Sequence, residues 1–242
     1  MGQYIYGINP VLLAIQANRV KKVFVSDTFN NKNVLNTIKK AGITIEFLRK
    51  ERINSLSSNR KNQGILAEVF DYKTLSIEDF INKNKNKETS VLIILDNLED
   101  PHNLGAILRI CDAFNIDGVM FKKNNQVGIT PSVIKVSTGA INFVDCVEVT
   151  NLTQAIKKLK EEGYWIYASD MDGSENYFDV DYANKICLVI GSEGFGISHL
   201  VKENCDFVIK IPMSGHVNSL NASNACSIIV SDIYRKKLLK SS

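Results

Sequence analysis

The sequence lacks the features that mark membrane and exported proteins. No apolar run in its 242 residues approaches the roughly 18 residues that a membrane-spanning helix needs. The N-terminus has no basic segment followed by an apolar run and a small-residue cleavage site, so we expect no signal peptide. We therefore expect a cytoplasmic protein.

Cysteine and histidine are few and are not spaced as disulfide partners or metal ligands. The five cysteines are odd in number, lie far apart and form no C-x-x-C pair, and the three histidines show no ligand spacing. Zinc sites and disulfide frameworks both need closer, recurring spacings. We therefore expect no metal, and five free thiols that are buried or half-buried in a reducing compartment: Cys111, Cys146, Cys187, Cys205 and Cys226.

Charge is distributed unevenly along the chain. Residues 1–74 carry 12 Lys and Arg against 5 Asp and Glu, residues 75–88 carry 3 of each, and residues 89–242 carry 14 against 18. Because 82–88 is polar and has no apolar anchor, we interpret 75–88 as a solvated linker between two domains. The basic first domain favours docking on a polyanion, although lysine-rich surfaces often serve only solubility.

The pattern of apolar residues in the first domain alternates between helices and strands. Asn9-Pro10 is typical of a helix N-cap followed by proline at the first helical position. We expect helices over 11–17, 33–40 and 51–56, and strands over 20–26, 43–47 and 65–70. These elements predict a small α/β domain over residues 1–74.

The second domain, residues 89–242, opens on the apolar run Val91-Leu-Ile-Ile-Leu95, which is typical of a buried parallel strand. Further strands are expected over 118–121, 143–149, 164–169, 186–190 and 207–211. Helices are expected over 102–114, 131–137, 152–162, 197–203 and 219–239. This alternation predicts an α/β fold with a parallel sheet and helices on both faces. Ligands on such sheets bind outside the carboxyl ends of the strands.

Three polar, glycine-bearing segments follow predicted strands at that edge. The first, residues 96–109, reads Asp-Asn-Leu-Glu-Asp-Pro-His-Asn-Leu-Gly-Ala-Ile-Leu-Arg. The second is Gly-Ser-Glu-Gly-Phe-Gly at 191–196, and the third begins with Ile-Pro-Met at 211 and contains Ser-Leu-Asn at 219–221. Glycine lets a ligand approach the backbone, but the second segment matches neither a dinucleotide fingerprint nor a phosphate-binding P-loop.

Taken singly, these segments also have ordinary structural interpretations. Asn103, Ser219 and Asn221 are common helix caps, and Glu193 suits the first turn of a helix. Arg109 could be a surface ion-pair partner. Because it lies six residues after Asn103, the two fall on roughly opposite faces of an ideal helix. They share one site only if Asn103 lies in the loop or at the cap.

In this order, the three segments resemble the motifs of the TrmH-type (SpoU) RNA 2′-O-methyltransferases of the SPOUT superfamily, over about residues 91–238. In the first domain, Tyr6-Gly-Ile-Asn-Pro-Val and Gln63-Gly-Ile-Leu-Ala resemble the substrate-binding domain of the RlmB branch. That branch methylates a guanosine ribose in 23S rRNA. The chain departs from it at Asn62, where the branch usually has histidine.

The resemblance implies a C-terminal trefoil knot, S-adenosylmethionine as cofactor, and a homodimer with composite sites. Cofactor contacts map onto Gly191, Ile211 and Leu220. The catalytic positions map onto five polar residues: Asn103, Arg109, Glu193, Ser219 and Asn221.

The chemistry of these side chains suggests how they share the work. Because a guanidinium rarely releases its proton, we expect Arg109 to bind the adjacent phosphate and stabilise alkoxide charge, although the family's arginine has been regarded as the base. Asn103 and Asn221 are expected to orient the ribose and the arginine. Glu193 is expected to hold the arginine or the loop.

The resemblance also implies a ribosomal RNA partner for the basic first domain. The expected phosphate contacts are Arg19, Lys21, Lys22, Arg60 and Lys61. Three alternatives stay open. The same chemistry could act on tRNA or another rRNA ribose, the chain could be a non-catalytic RNA-binding ribosome-assembly factor, or it could be a nucleotide-binding α/β enzyme of unrelated chemistry.

Overall fold

The computed structural model describes residues 3–57, 61–124, 126–216 and 219–240. The N-terminal domain contains, in chain order, β1 (Gln3–Tyr6), α1 (Ile8–Gln16), β2 (Val20–Ser26), α2 (Lys32–Lys40), β3 (Ile45–Leu48), α3 (Lys50–Ser57) and β4 (Ile65–Val69). Its strands form one mixed sheet in the order β1-β4-β2-β3. Strand β4 runs antiparallel to β1 and β2, whereas β2 and β3 are parallel.

Alternating side chains of β2 explain why helices cover both faces of this sheet. Val23 and Val25 point into the large apolar cluster that α1 and α2 share. Phe24, between them, points to the opposite face and packs with Ile53 of α3. The period of two along the strand therefore sets which helix covers which face.

Helix α1 begins at Ile8, three residues earlier than expected. Gly7 is the N-cap, with a φ of 95°, and the side-chain oxygen of Gln63 accepts a hydrogen bond from the Ile8 amide at 2.7 Å. Pro10 lies in the first turn, where a missing N–H removes no helical hydrogen bond. The prediction of an N-cap at Asn9 was wrong, because a residue distant in sequence satisfies the first donor of the helix.

The C-terminal domain is larger and begins with a helix. In chain order it contains α4 (Ile77–Asn84), β5 (Ser90–Asp96), α5 (Pro101–Ala113), β6 (Gly118–Lys122), α6 (Pro131–Val136), β7 (Asp145–Val149), α7 (Leu152–Glu161), β8 (Trp165–Ser169), β9 (Glu175–Asn176), β10 (Lys185–Gly191), α8 (His199–Glu203), β11 (Phe207–Lys210) and α9 (Ala222–Lys240). Among the described residues, no helix is both long enough and apolar enough to cross a membrane.

The strands of this domain form one parallel sheet in the order β7-β6-β5-β10-β8-β11-β9. Along the central strand β5, Ile93 and Leu95 pack in one apolar cluster with α5 and α9, whereas Leu92 and Ile94 pack in a second with α4 and α7. Helices therefore cover both faces, and the predicted α/β fold with a parallel sheet is confirmed.

Residues 75–88 do not form the solvated linker that their composition suggested. Leu75 forms a β-bridge with Val147, and the Ser76 hydroxyl caps α4 by accepting a hydrogen bond from the amide of residue 79 at 3.0 Å. Ile77 and Phe80 are buried against the C-terminal sheet. Two apolar residues three positions apart give this polar segment one buried helical face, so its first ten residues belong to the C-terminal domain.

The two domains pack against each other next to a short 3₁₀ helix, Ala140–Asn142. Gly139, just before it, is buried against Leu13 of α1 so closely that an added Cβ would lie 2.6 Å from the leucine Cδ1. The Tyr72 hydroxyl donates a hydrogen bond to the side chain of Asn142 at 3.2 Å. Burial raises the pKa of Tyr72, so its hydroxyl keeps the proton that this bond needs.

We expect Gly139→Ala to lower the free energy of unfolding by about 1–3 kcal/mol, since the new methyl group overlaps Leu13 and a φ of 103° strains any L residue. Urea unfolding measures this change. The matched control is Gly128→Ala, because nothing lies within 4 Å of a Cβ added there. Equal stability of the two variants would show that the close contact between Leu13 and Gly139 does not contribute to domain packing.

Candidate active site

The carboxyl ends of β8, β10 and β11 lie at one edge of the C-terminal sheet, because the strands are parallel. The segments that follow them enclose a pocket of about 490 Å³. Its walls are residues 169–172 after β8, residues 190–196 at the end of β10, Ile211 and Met213 after β11, and Ser219, Leu220, Ala222 and Ala225 at the entrance of α9. The pocket therefore lies at the edge where the strand pattern predicted a ligand site.

The residues that the resemblance assigned to the cofactor all line this pocket: Gly191, Ile211 and Leu220. Gly191 has no room for a side chain, because a Cβ there would overlap the backbone of Gly196. Ser192 and Gly196 close the loop with two backbone hydrogen bonds, of 3.1 and 2.9 Å. The glycine-rich segment is thus a tight turn at the edge of the pocket.

Polar side chains from all three motifs meet beside the pocket. Glu193 Oε1 accepts a hydrogen bond from Asn103 Nδ2 at 2.8 Å and another from Asn221 Nδ2 at 2.6 Å. Asn221 Nδ2 also lies 2.8 Å from Asn103 Oδ1, to which it donates. These contacts connect the first turn of α5, the glycine loop and the entrance of α9. We call these three side chains the Asn–Glu–Asn cluster.

Asn221 also begins helix α9. Its Oδ1 accepts hydrogen bonds from the Ser223 amide at 2.9 Å and from the Ser223 hydroxyl at 2.6 Å. The oxygen of this amide therefore serves as a helix cap, while its nitrogen contacts the other two members of the cluster. At α5 the roles are separate, because Asp100 is the cap and Asn103 lies inside the helix.

A buried carboxylate holds the far end of the glycine loop. Asp96, the last residue of β5, accepts a hydrogen bond from the Ser198 amide at 2.7 Å. The Lys122 ammonium lies 3.2 Å from its second oxygen, which offsets the cost of burying the charge. The motif alone did not single out Asp96. Its position at the end of an apolar strand, where the predicted site begins, was the available signal.

The pocket wall at residues 169–172 was also missed. Asp170 pairs with Lys202 of α8 at 2.9 Å, and Asp172 lies 4.0 Å from the same ammonium. The Asp172 side chain is 80% exposed, so it places a carboxylate at the rim of the pocket. The polar run Asp-Met-Asp-Gly directly after a predicted strand was the signal that could have identified this wall.

Arg109 does not line the pocket of its own chain. Since Asn103 lies within α5 rather than in a loop or at the cap, Arg109 is about 9 Å further along the helix axis and on a different face. Its side chain is exposed to solvent. The single chain therefore brings together Asn103, Glu193 and Asn221, but not Arg109.

The residues expected to contact phosphate also differ in their surroundings. The Arg19 guanidinium donates to the carbonyl oxygens of Phe70 and Asp71 at 3.0 and 2.7 Å. It thereby holds the chain where β4 leaves the N-terminal domain. Lys61 is exposed, and Arg60 lies outside the described residues.

The two lysines of β2 are already paired with carboxylates. Lys21 lies 3.7 Å from Glu68, and Lys22 forms an ion pair with Glu46. A lysine that is paired in this way has less net charge to offer a phosphate. The charge surplus of the N-terminal domain is therefore partly compensated on this strand.

The cysteines carry no nucleophilic chemistry. All five are free thiols, of which four are buried and Cys205 is half-buried, as expected. Burial raises the pKa of Cys146, Cys205 and Cys226 to about 12, so these thiols stay protonated. The described residues contain no group of His, Cys, Asp and Glu that could hold a metal ion.

Comparison with known proteins matches both domains. Residues 90–231 match the SpoU rRNA methylase family, and residues 4–75 match an RNA 2′-O ribose methyltransferase substrate-binding domain. The chain is 41% identical over 227 residues to a protein of Staphylococcus haemolyticus assigned to the TrmH family of tRNA/rRNA methyltransferases, which covers 92% of this chain and 91% of that one. It is 37% identical over 239 residues to the TrmH family protein YacO of Bacillus subtilis, covering 97% and 96%.

A solved structure supports the fold. The SpoU methyltransferase AviRb of Streptomyces viridochromogenes, in complex with the cofactor AdoMet, superposes with a TM-score of 0.80 at 20% identity. The superposition covers 98% of this chain and 90% of AviRb. At this level of identity the likeness is one of architecture.

Fold, pocket and matches together define the class of this protein as an RNA methyltransferase. The chain belongs to the SpoU rRNA methylase family, also called the TrmH family, and its reaction class is methylation of a ribose 2′-oxygen. The expected family is thereby confirmed. The RlmB branch within it stays a prediction.

We expect Asn221→Ser to keep the capping role of this residue and to remove its contacts within the cluster. Serine still caps α9 but loses the amide donors to Asn103 and Glu193, so the free energy of unfolding should stay within about 1 kcal/mol of wild type. Methyl transfer should fall at least about tenfold, because a loop held by charge-assisted hydrogen bonds is released. Asn224→Ser, at an exposed position three residues further along the chain in α9, is the control. Full transfer by Asn221→Ser would contradict a role for the cluster.

Proposed function

We propose that the protein transfers a methyl group from S-adenosylmethionine to a ribose 2′-hydroxyl of a guanosine in 23S rRNA. One observation carries this proposal: the Asn–Glu–Asn cluster ties the glycine loop of the pocket to α5 and α9. The cluster lies beside the pocket, so a substrate that contacts the asparagine side chains lies next to a molecule bound there. Holding two reactants side by side makes their reaction effectively intramolecular, which accelerates it.

The pocket fits S-adenosylmethionine in size and in chemistry. Its volume of about 490 Å³ lies in the range of sites for ligands of this size. Backbone atoms around Gly191 can bind the polar edge of an adenine, and Ile211 and Leu220 supply apolar contacts to its faces. The cofactor is cationic at its sulfonium and amino groups, and the carboxylates of Asp172 and Glu193 line the same pocket.

The chain's residues then position the ribose and stabilise charge. S-adenosylmethionine supplies, when bound, a methyl group on a positively charged sulfonium. Asn103 and Asn221 orient the 2′-hydroxyl, and Glu193 holds both amides in place. Arg109 binds the neighbouring phosphate and stabilises the negative charge that develops on the ribose oxygen. Since a guanidinium keeps its proton in proteins, this role suits it better than that of a base.

The position of Arg109 leads us to propose a homodimer with composite sites. Arg109 is exposed and does not line the pocket of its own chain, so it completes a site only when a second copy supplies it. Dimers with two-fold symmetry, in which both subunits use the same surface, are the commonest assemblies of soluble proteins. We further propose that the segments around the pocket form the trefoil knot expected from the family.

The choice of 23S rRNA over other RNAs rests on the N-terminal domain. Its match to a substrate-binding domain favours an RNA partner, and the two motifs shared with the RlmB branch meet in the fold, where Gln63 binds the amide of Ile8. Asn62 is buried and bonded to Asn54 and Ser57, so it has a structural role in place of the usual histidine. Such a substrate places the protein in the cytoplasm.

Labelled S-adenosylmethionine and RNA that lacks the modification test the proposed reaction. We expect label in 23S rRNA, resistant to alkali cleavage at one guanosine because its 2′-oxygen is blocked. Label in tRNA or at another rRNA ribose would contradict the substrate. Cofactor binding without transfer to any RNA would favour the non-catalytic assembly factor.

Mixed dimers test the composite site. Arg109→Ala and Glu193→Ala homodimers should each lose most methyl transfer, whereas their equal co-expression should recover about a quarter of wild-type activity. The reason is that half of the dimers then contain one site with both side chains intact. No recovery in purified mixed dimers would mean that Arg109 and Glu193 act within one chain. Arg109→Ala should leave cofactor affinity unchanged, which calorimetry measures.

A further inference from the structure

A second cavity lies between the two domains, away from the pocket already described. It measures about 410 Å³ and is formed by β1, the start of α1 and the end of α3 on one side and by α6 on the other. We call it the interdomain cleft. Its described lining residues are Tyr4, Ile5, Tyr6, Pro10, Leu56, Ser57, Pro131, Ser132, Ile134 and Lys135.

Two tyrosines supply aromatic surface on the N-terminal side of the cleft. Tyr4 and Tyr6 are two residues apart on the edge strand β1, so they project from the same face, whereas Ile5 between them is buried. The Tyr4 ring is held edge-on against Phe24, with 6.2 Å between centroids. Aromatic rings held in this way are preorganised platforms for the flat face of a nucleobase.

A cation lies on the opposite side of the cleft. The Lys135 ammonium sits 5.7 Å from the centroid of the Tyr6 ring, and its side chain is exposed. None of the described residues that line the cleft is acidic. Lys21 and Lys22, in contrast, are each paired with a glutamate. Among the residues that the structure describes, the cleft therefore combines aromatic surface with a positive charge that no lining carboxylate offsets, which suits a nucleotide phosphate.

The cleft is connected to the methyl-transfer site through helix packing. Helix α6, which carries Lys135, packs on α5 so closely that a Cβ added at Gly105 would lie 2.6 Å from the Cβ of Val136. Helix α5 carries Asn103 two residues before that glycine. The close contact of Leu13 with Gly139 holds the N-terminal wall in place. A ligand in the cleft is thus held at a fixed position relative to the Asn–Glu–Asn cluster.

We propose that the interdomain cleft binds one unpaired nucleotide of the RNA substrate, with its base against the tyrosines and its phosphate at Lys135. The proposal rests on the proposed function in so far as that function makes RNA the substrate. A double helix is too wide to enter a cavity of this size, whereas single-stranded RNA can turn one base out of its stack. The cleft then selects unpaired RNA and anchors it while another ribose of the same RNA is methylated.

Binding of a fluorescein-labelled oligouridylate, without cofactor, tests this proposal. Lys135→Gln and Tyr6→Leu should each weaken binding about tenfold, since losing one stacked base or one phosphate contact costs about that factor. Tyr6→Phe keeps the ring and should bind as wild type. For Lys135→Gln, the slope of log affinity against log salt should decrease by about 0.7. Lys135 is exposed, so its replacement leaves the fold intact even if Tyr6→Leu disturbs it.

Lys185→Gln is the matched control, because Lys185 lies over the ring of Tyr164, at 5.6 Å, at the amino end of β10 and outside the cleft. It should leave oligouridylate binding unchanged. Equal weakening by Lys185→Gln and Lys135→Gln would overturn the proposal, since it would reveal a general charge effect. Unchanged binding by Lys135→Gln would overturn it as well, and so would an equal loss of affinity for a blunt RNA duplex.

Methyl transfer is measured separately, so the two proposals fail in different ways. Cleft-dependent binding of oligouridylate in a protein that methylates no RNA would support the cleft and contradict the proposed function. Site-specific methylation of 23S rRNA could also be unaffected by Lys135→Gln and Tyr6→Leu, together with oligouridylate binding. That result would support the proposed function and contradict the cleft.

Discussion

The carboxylate of Glu193 joins three parts of the chain that are far apart in sequence. One of its oxygens accepts amide hydrogen bonds from Asn103, in the first turn of α5, and from Asn221, which caps α9. Hydrogen bonds to a charged group contribute roughly twice as much as neutral ones. Because α5, the glycine loop and α9 converge at this carboxylate, the shape of the pocket and the placement of the asparagine side chains both depend on it.

Several site residues serve the fold and the site at once. Asn221 caps α9 with its oxygen and binds the cluster with its nitrogen. Asp96 is buried with Lys122 and fixes the exit of the glycine loop. Gly191 has no side chain, which lets the backbone of Gly196 pack directly against it. These contacts fix the backbone around the pocket, whereas Arg109 is exposed and does not line it.

Local patterns predicted most elements of the fold. The apolar run 91–95, the strand at Val20–Ser26 and the helix beginning near Leu152 each follow from hydrophobic spacing and caps that neighbouring residues provide. Strands β1 and β9 and helix α4 were missed. Each is short and is stabilised by contacts with distant residues, as when Leu75 pairs with Val147. Sequence patterns also could not show that the Arg19 guanidinium, expected to contact phosphate, binds backbone carbonyl oxygens about 50 residues away.

The sequence by itself determined the family, the parallel α/β architecture and the three residues of the Asn–Glu–Asn cluster, because motif order and periodicity are properties of the linear chain. Only the tertiary structure decided which of those residues meet. It brought Asn103, Glu193 and Asn221 within hydrogen-bonding distance and left Arg109 outside, because helical geometry separates residues six positions apart. It also created the interdomain cleft, whose two walls come from residues more than 70 positions apart and so leave no pattern in the sequence.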